Sequence, residues 1–183
     1  MAIKEVTRMG NPVLRKEAED LTKEEILSED TRDLLQDMLD TMKAESGIGI
    51  AAPQIGVSKK VALISVPSDS ERYPEAEESP MLFIFNPKIT VLDDEVQGFW
   101  EGCLSVPGLR GFVERPRKVQ IDFLDMNAQE QSIVVEGFLA TVFQHELDHL
   151  FGKLYVDRIT DMSKLTYNEE YSKFVLQQVN TEE

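Results

Sequence analysis

The sequence predicts an α+β fold, with short and largely antiparallel strands and a few helices. Three observations carry this. Leu34, Leu35, Met38, Leu39 and Met42 recur at spacings of three and four inside the stretch 23–46, the mark of an amphipathic helix. Runs such as "KKVALISVP" (59–67) are rich in β-branched residues and read as strands. Leu139, Val142, Phe143, Leu147 and Leu150 give 139–151 an apolar helical surface, so this helix is expected to be buried.

Taken in order, 23–46 is helix and "GIGIAAPQIG" (47–56) follows as an extended segment. After the strand 59–67, "SDSERYPEAEESP" (68–80) is acidic and poor in apolar residues, an exposed loop. "LFIFNPKITVL" (82–92) and "KVQIDFLDM" (118–126) are strands, and "EQSIVVEGF" (130–138) pairs with the latter through "NAQE". Between them "VPGLRGFVERP" (106–116) is punctuated by Gly and Pro, either a mobile lid or a rigid wall. A terminal helix is expected over 167–178. With no internal repeat and no domain-sized linker, residues 1–183 read as one domain.

Composition bounds the function classes. At 42% hydrophobic and 29% charged, the chain is an ordinary soluble globular protein. It has no apolar run long enough to span a bilayer, and "MAIKEVTRMG" lacks the apolar core of a secretory signal. A single cysteine forbids an internal disulfide and fits a reducing compartment. The net charge of −15 repels nucleic acid and anionic membrane.

"QHELDH" (144–149) sets His145 and His149 four residues apart on one helical face, positioned to grip one metal ion. Burying two histidines, Glu146 and Asp148 without purpose is costly. Glu146 starts beside the metal-binding face, where it could take a proton from a metal-bound water without ligating the metal. Asp148 either orients a ligand or is a helix charge awaiting a cationic partner.

A catalytic site ordinarily needs a third protein ligand, and no other histidine exists. The candidates are the 34 carboxylates, Asp157, Asp161, Glu169 and Glu170 downstream among them, and the one cysteine. Cys103 lies in "WEGCLSVPG" beside Gly102. A lone cysteine is ordinarily a small buried hydrophobe, but a thiolate is a strong zinc or ferrous ligand. Cys103, His145 and His149 would consume the chain's whole inventory of both residue types. "GIGIAA" also fits the loose dinucleotide pattern, but a helix precedes it and Pro53 follows, which is the wrong context. Its glycines are better suited to a close backbone approach. Gln54 could then stabilise an oxyanion with a neutral amide donor.

Together "GIGIAAPQ", "EGCLS" and "QHELDH" resemble, in order, the three signature segments of the peptide deformylases. The resemblance implies antiparallel β-sheets around a central H-E-x-x-H helix, with a helix near each terminus. It implies hydrolytic removal of the formyl group from N-formylmethionine on nascent peptides, releasing formate. Matched to the motifs, Cys103, His145 and His149 are the metal ligands and Glu146 is the general acid/base. Gln54 and the Leu104 N–H hold the oxyanion. Substrate contacts fall on Ile48, Gly49, Phe99, Glu101, Gly102, Arg110 and Val142. The family's metal is often Fe2+, with Zn2+, Ni2+ or Co2+ as substitutes, and its compartment a bacterial-type cytoplasm or an organelle. Ribosome association is part of the expectation, but residues 161–183 carry five acids and two lysines, so RNA would bind that tail weakly. The rivals are a zinc endopeptidase and a metal-stabilised module that binds nascent chain ends without turnover.

Overall fold

The computed structural model describes residues 2–66 and 79–176. The helical stretch 23–46 divides in two. Helix α1 (Lys23–Ile26) opens on a capping box, with Thr22 Oγ1 accepting from Glu25 N–H at 3.2 Å and Glu25 Oε2 accepting from Thr22 N–H at 2.7 Å. Helix α2 (Glu29–Ala44) starts afresh at Ser28, whose hydroxyl accepts from Thr31 N–H. Serine caps a helix better than it continues one, a break that apolar periodicity alone does not register.

The strands are β1 (Gly49–Ala51), β2 (Val61–Val66), β3 (Ser79–Cys103), β4 (Val106–Leu124), β5 (Glu130–Glu136) and β6 (Leu165–Tyr167). All pair antiparallel, in the order β1-β2-β3-β4-β5, with β6 added to β4. Two strands run much further than their apolar runs suggest. β3 absorbs Pro87, which has no N–H to give, at a register shift between Phe85 and Lys88, and further shifts follow at Asp93. Such bulges let a strand bend and continue through turn-like residues. The segment 106–116 is the first half of β4, paired to β3 along one edge and at Leu109–Gly111 to β6 along the other. It is a wall. Of the acidic stretch 68–80, Ser79 and Pro80 open β3 rather than lying in a loop; the rest lies outside the described residues.

Strand β2 shows why its sequence is apolar at every position but Ser65. Ala62, Ile64 and Val66 face one core with Phe143 and Leu147 of helix α3 (Gly137–Asp148), while Val61 and Leu63 face another with Leu35, Met38 and Met42 of α2. Both faces of the strand are covered, so no polar alternation remains. Helix α3 is likewise buried on every side from Ala140 to Asp148. At the C-terminal end, α4 (Asn168–Glu170) passes into a π-helical turn, Tyr171–Val175; the predicted helix beyond Leu176 lies outside the described residues. Among the described residues no helix is long and apolar enough to cross a membrane.

Candidate metal centre

Two elements bring the three predicted ligands together. Cys103 is the last residue of β3, at the two-residue turn Leu104–Ser105 that leads into β4. His145 lies in the final turn of α3, and His149 caps it. Their ligand atoms all lie within 4.8 Å of one another, with Cys103 Sγ 3.4 Å from His149 Nε2. None of the three residues is more than 9% exposed. His145 Nδ1 is 2.7 Å from Glu101 Oε2, which leaves its Nε2 for the cluster.

The electrostatics suit a cation. Burial opposes ionisation of Cys103, but His149 and His145 beside it outweigh that and hold the thiol well below its usual range. Burial likewise opposes a charged His145, and Cys103 with Glu101 overcomes it, raising the imidazole well above its usual value. A thiolate here requires positive charge within the cluster, and a divalent ion supplies it where imidazole protons otherwise must. The soft donor set fits zinc or ferrous iron, and three protein ligands are the number catalytic rather than structural sites use.

Behind the ligands lies a charge chain that the sequence did not show, buried at Glu101, Arg115 and Asp148 and exposed at its outer member, Arg158. Arg115 donates to both oxygens of Glu101, at 2.7 and 3.1 Å, and to Asp148 Oδ2 at 2.8 Å. Arg158 donates to both oxygens of Asp148, at 3.1 and 2.6 Å. Of the two roles left open for Asp148, this is the charge with cationic partners. Although burial disfavours both carboxylates, His145 and Arg115 keep Glu101 ionised, and Arg158 and Arg115 keep Asp148 ionised. Glu101 thus fixes which nitrogen His145 turns to the cluster. Both its carboxylate oxygens are committed in this way.

Glu146 is buried, and among the described residues its Oε2 has no hydrogen-bond partner. Burial raises its pKa above the ordinary carboxylate value. It fits only because residue 49 is glycine: a Cβ there would stand 2.5 Å from Glu146 Cδ and Cγ. The obstacle is the far end of a flexible side chain, so Gly49→Ala is expected to fold normally while pushing the carboxylate aside. A displacement of about 1 Å costs roughly 100-fold in rate. Unchanged melting with kcat reduced on that scale is the expected result; a wild-type kcat would show that Glu146 tolerates the shift.

Gln54 arrives on the 3-10 turn Ala52–Ile55. Its Oε1 accepts from Ala51 N–H at 2.8 Å, which aims Nε2 at Cys103 Sγ (3.5 Å) and Ser105 Oγ (3.3 Å). The donor end of the amide therefore faces the cluster, as an oxyanion contact requires.

Two cavities meet here, sharing Ile48, Gly102, His145 and Glu146. One also touches Gly49, Gln54, Cys103 and Leu104. The other adds Trp100, Glu101, Phe138, Thr141 and Val142. Of the expected substrate contacts, Ile48, Gly49, Glu101, Gly102 and Val142 thus line the cavities. Phe99 stands one ring behind, edge-on to Phe138 with centroids 5.3 Å apart. Arg110 is not in either lining and lies over the Tyr171 ring at 5.2 Å. Sequence reasoning passed over Phe138 and Thr141, although they precede His145 by seven and four residues on the same helical face. It also passed over Trp100 and the fully buried Ser105.

A buried cysteine and two imidazoles with a carboxylate at their side form a group that could hold a metal ion, a donor set of the kind metal-dependent hydrolases use. The chain matches the family model for polypeptide deformylase over residues 3–165. It is 48% identical over 170 residues to the peptide deformylase of Leptospira biflexa, covering 93% of this chain and 95% of that one. Among solved structures it resembles the class I type b peptide deformylase of Acinetobacter baumannii bound to Met-Ala-Ser, with TM-score 0.82 and 38% identity, covering 86% of this chain and 99% of that one. The same enzyme bound to actinonin matches with TM-score 0.78 and 34% identity, over 87% and 100%. The chain belongs to the peptide deformylase family, whose members are metal-dependent hydrolases.

Proposed function

We propose that the chain, as one catalytic domain over 1–183, removes the formyl group from the formylmethionine that begins newly made polypeptides. Water adds to the formyl carbon, the C–N bond breaks, and formate and a free amine result. The observation that carries this reading is the buried Glu146 carboxylate, its Oε2 without a hydrogen-bond partner among the described residues, beside the Cys103, His145 and His149 donors. Those three residues would hold one divalent ion, Fe2+ natively, with Zn2+, Ni2+ or Co2+ able to replace it. When bound, the ion supplies Lewis acidity, which makes water a nucleophile at neutral pH and polarises the formyl oxygen.

Glu146 takes the proton of the attacking water and returns it to the departing nitrogen. Gln54 Nε2, with the Leu104 N–H, donates to the oxygen as it gains charge. Ile48, Val142 and Phe99, the last through Phe138, give the methionine side chain an apolar seat. Gly49 and Gly102 let the peptide backbone come close, while Glu101 acts through His145 and Arg110 meets the peptide further along. The Met-Ala-Ser held by the Acinetobacter baumannii relative is the peptide such a reaction would leave behind.

The compartment we infer is a bacterial-type cytoplasm, with nascent peptides at the ribosome as partners and an acidic tail that does not dock on RNA. A chelator is expected to abolish formate release from formyl-Met-Ala-Ser, and anaerobic Fe2+ to restore it best. Acetyl-Met-Ala-Ser should remain intact, since a formyl carbon carries only hydrogen where the acetyl group carries a methyl. Activity that survives complete metal removal would defeat the reading.

A further inference from the structure

The two donors assigned to the oxyanion come from elements far apart in sequence. Gln54 sits on the 3-10 turn Ala52–Ile55, and Leu104 on the turn between β3 and β4. A third segment ties these two turns together. Thr7 N–H donates to the Gln54 carbonyl at 2.8 Å, and Thr7 Oγ1 donates to the Pro53 carbonyl at 2.9 Å. Two residues on, Met9 N–H donates to the Ser105 carbonyl at 2.7 Å. Ser105, next to Leu104 and fully buried, also accepts from Gln54 Nε2 at 3.3 Å. The contacts close a ring that runs from Thr7 to Gln54, Ser105 and Met9, and back along the chain to Thr7.

Both ends of this strap are held. Before it, Ala2 N–H donates to Asp37 and Lys4 N–H to Thr41, both on α2. After it, Asn11 caps the 3-10 turn Pro12–Arg15, whose Leu14 is fully buried in one cluster with Cys103 and Val106. Neither Thr7 nor Met9 lines the two cavities, so whatever the strap does there it does through the turns it joins.

We propose that Thr7 is a positioning residue for the reaction, clamping the Gln54 turn so that its amide meets the oxyanion together with the Leu104 N–H. This rests on the deformylase reading of the site. A donor serves a developing oxyanion only within about 2.7–3.1 Å of it, so small shifts of the turn matter. The Gln54 amide is turned by Ala51 N–H on its own segment, and its position therefore follows the backbone that Thr7 grips at two successive carbonyls.

The test is Thr7→Val, which keeps the β-branched shape and removes the hydroxyl donor. With Fe2+-loaded protein and formyl-Met-Ala-Ser, kcat is expected to fall by about 2- to 10-fold, the worth of one hydrogen bond. KM should stay unchanged, because the oxyanion contact strengthens only in the transition state. Thr7→Ser retains the donor and should keep the wild-type rate. In a Gln54→Ala background Thr7→Val should cost nothing further, since two residues that act through one contact do not add. A wild-type kcat in Thr7→Val, a loss carried by KM, or the same fold loss in the Gln54→Ala background would overturn the strap and leave the deformylase reading standing. No formate with the wild type would overturn both.

Discussion

Glu146→Gln is expected to keep its bound metal and lose turnover by about 100- to 10,000-fold, the range that general acid–base groups supply. Glutamine preserves the shape of the side chain against Gly49, where little room exists, so packing changes little. What it loses is the capacity to accept a proton. Because the atoms that would hold the metal are those of Cys103, His145 and His149, metal content should stay at the wild-type level. Formate release per bound metal is the quantity to measure. A near-normal rate would remove Glu146 from the chemistry, and a matching loss of metal would make it a scaffold for the ligands instead.

The second large effect is on stability. Arg115→Met removes a cation that touches both Glu101 and Asp148, in a place where the arginine side chain is 3% exposed and the two acids 5% and 8%. Asp148 keeps Arg158, but Glu101 is left with His145 alone. Breaking a buried pair from one side costs about 3–5 kcal/mol. Urea unfolding of the metal-free variant should show a loss on that scale. Metal affinity should also fall by about 10- to 100-fold as His145 loses the group that orients it. Adding Glu101→Gln to Arg115→Met should recover part of the stability but not the affinity. A loss below about 1 kcal/mol would mean that Glu101 finds another partner or gives up its charge.

The parts of the molecule most legible in sequence are those where one periodicity or one residue type has a single physical meaning. The H-E-x-x-H spacing needs only helical geometry to bring His145 and His149 together, and an inventory of one cysteine and two histidines leaves few ways to complete a site. β2 was legible because burial on two faces makes it apolar at every position but Ser65. β3 and β4 were legible only in their apolar halves. Asp93, Asp94, Gly98, Pro107 and Pro116 look like turn residues, and what keeps them in strands is a partner strand distant in sequence. The Glu101–Arg115–Asp148–Arg158 chain was hidden for the same reason, since its members come from β3, β4, α3 and the 3-10 turn Tyr155–Arg158. A charged residue in a sequence does not announce that it will be buried. Arg110 was expected from its motif position, but its stacking on Tyr171 depends on how the C-terminal segment returns along β4.

The most direct test of the central claim is to count products from formyl-Met-Ala-Ser with protein purified anaerobically and loaded with Fe2+. One formate for each intact Met-Ala-Ser peptide, detected by mass, is the predicted result. Cleavage within the peptide without formate would make the centre that of an endopeptidase, and tight binding of the peptide with no product would make it a binding module; either contradicts the account.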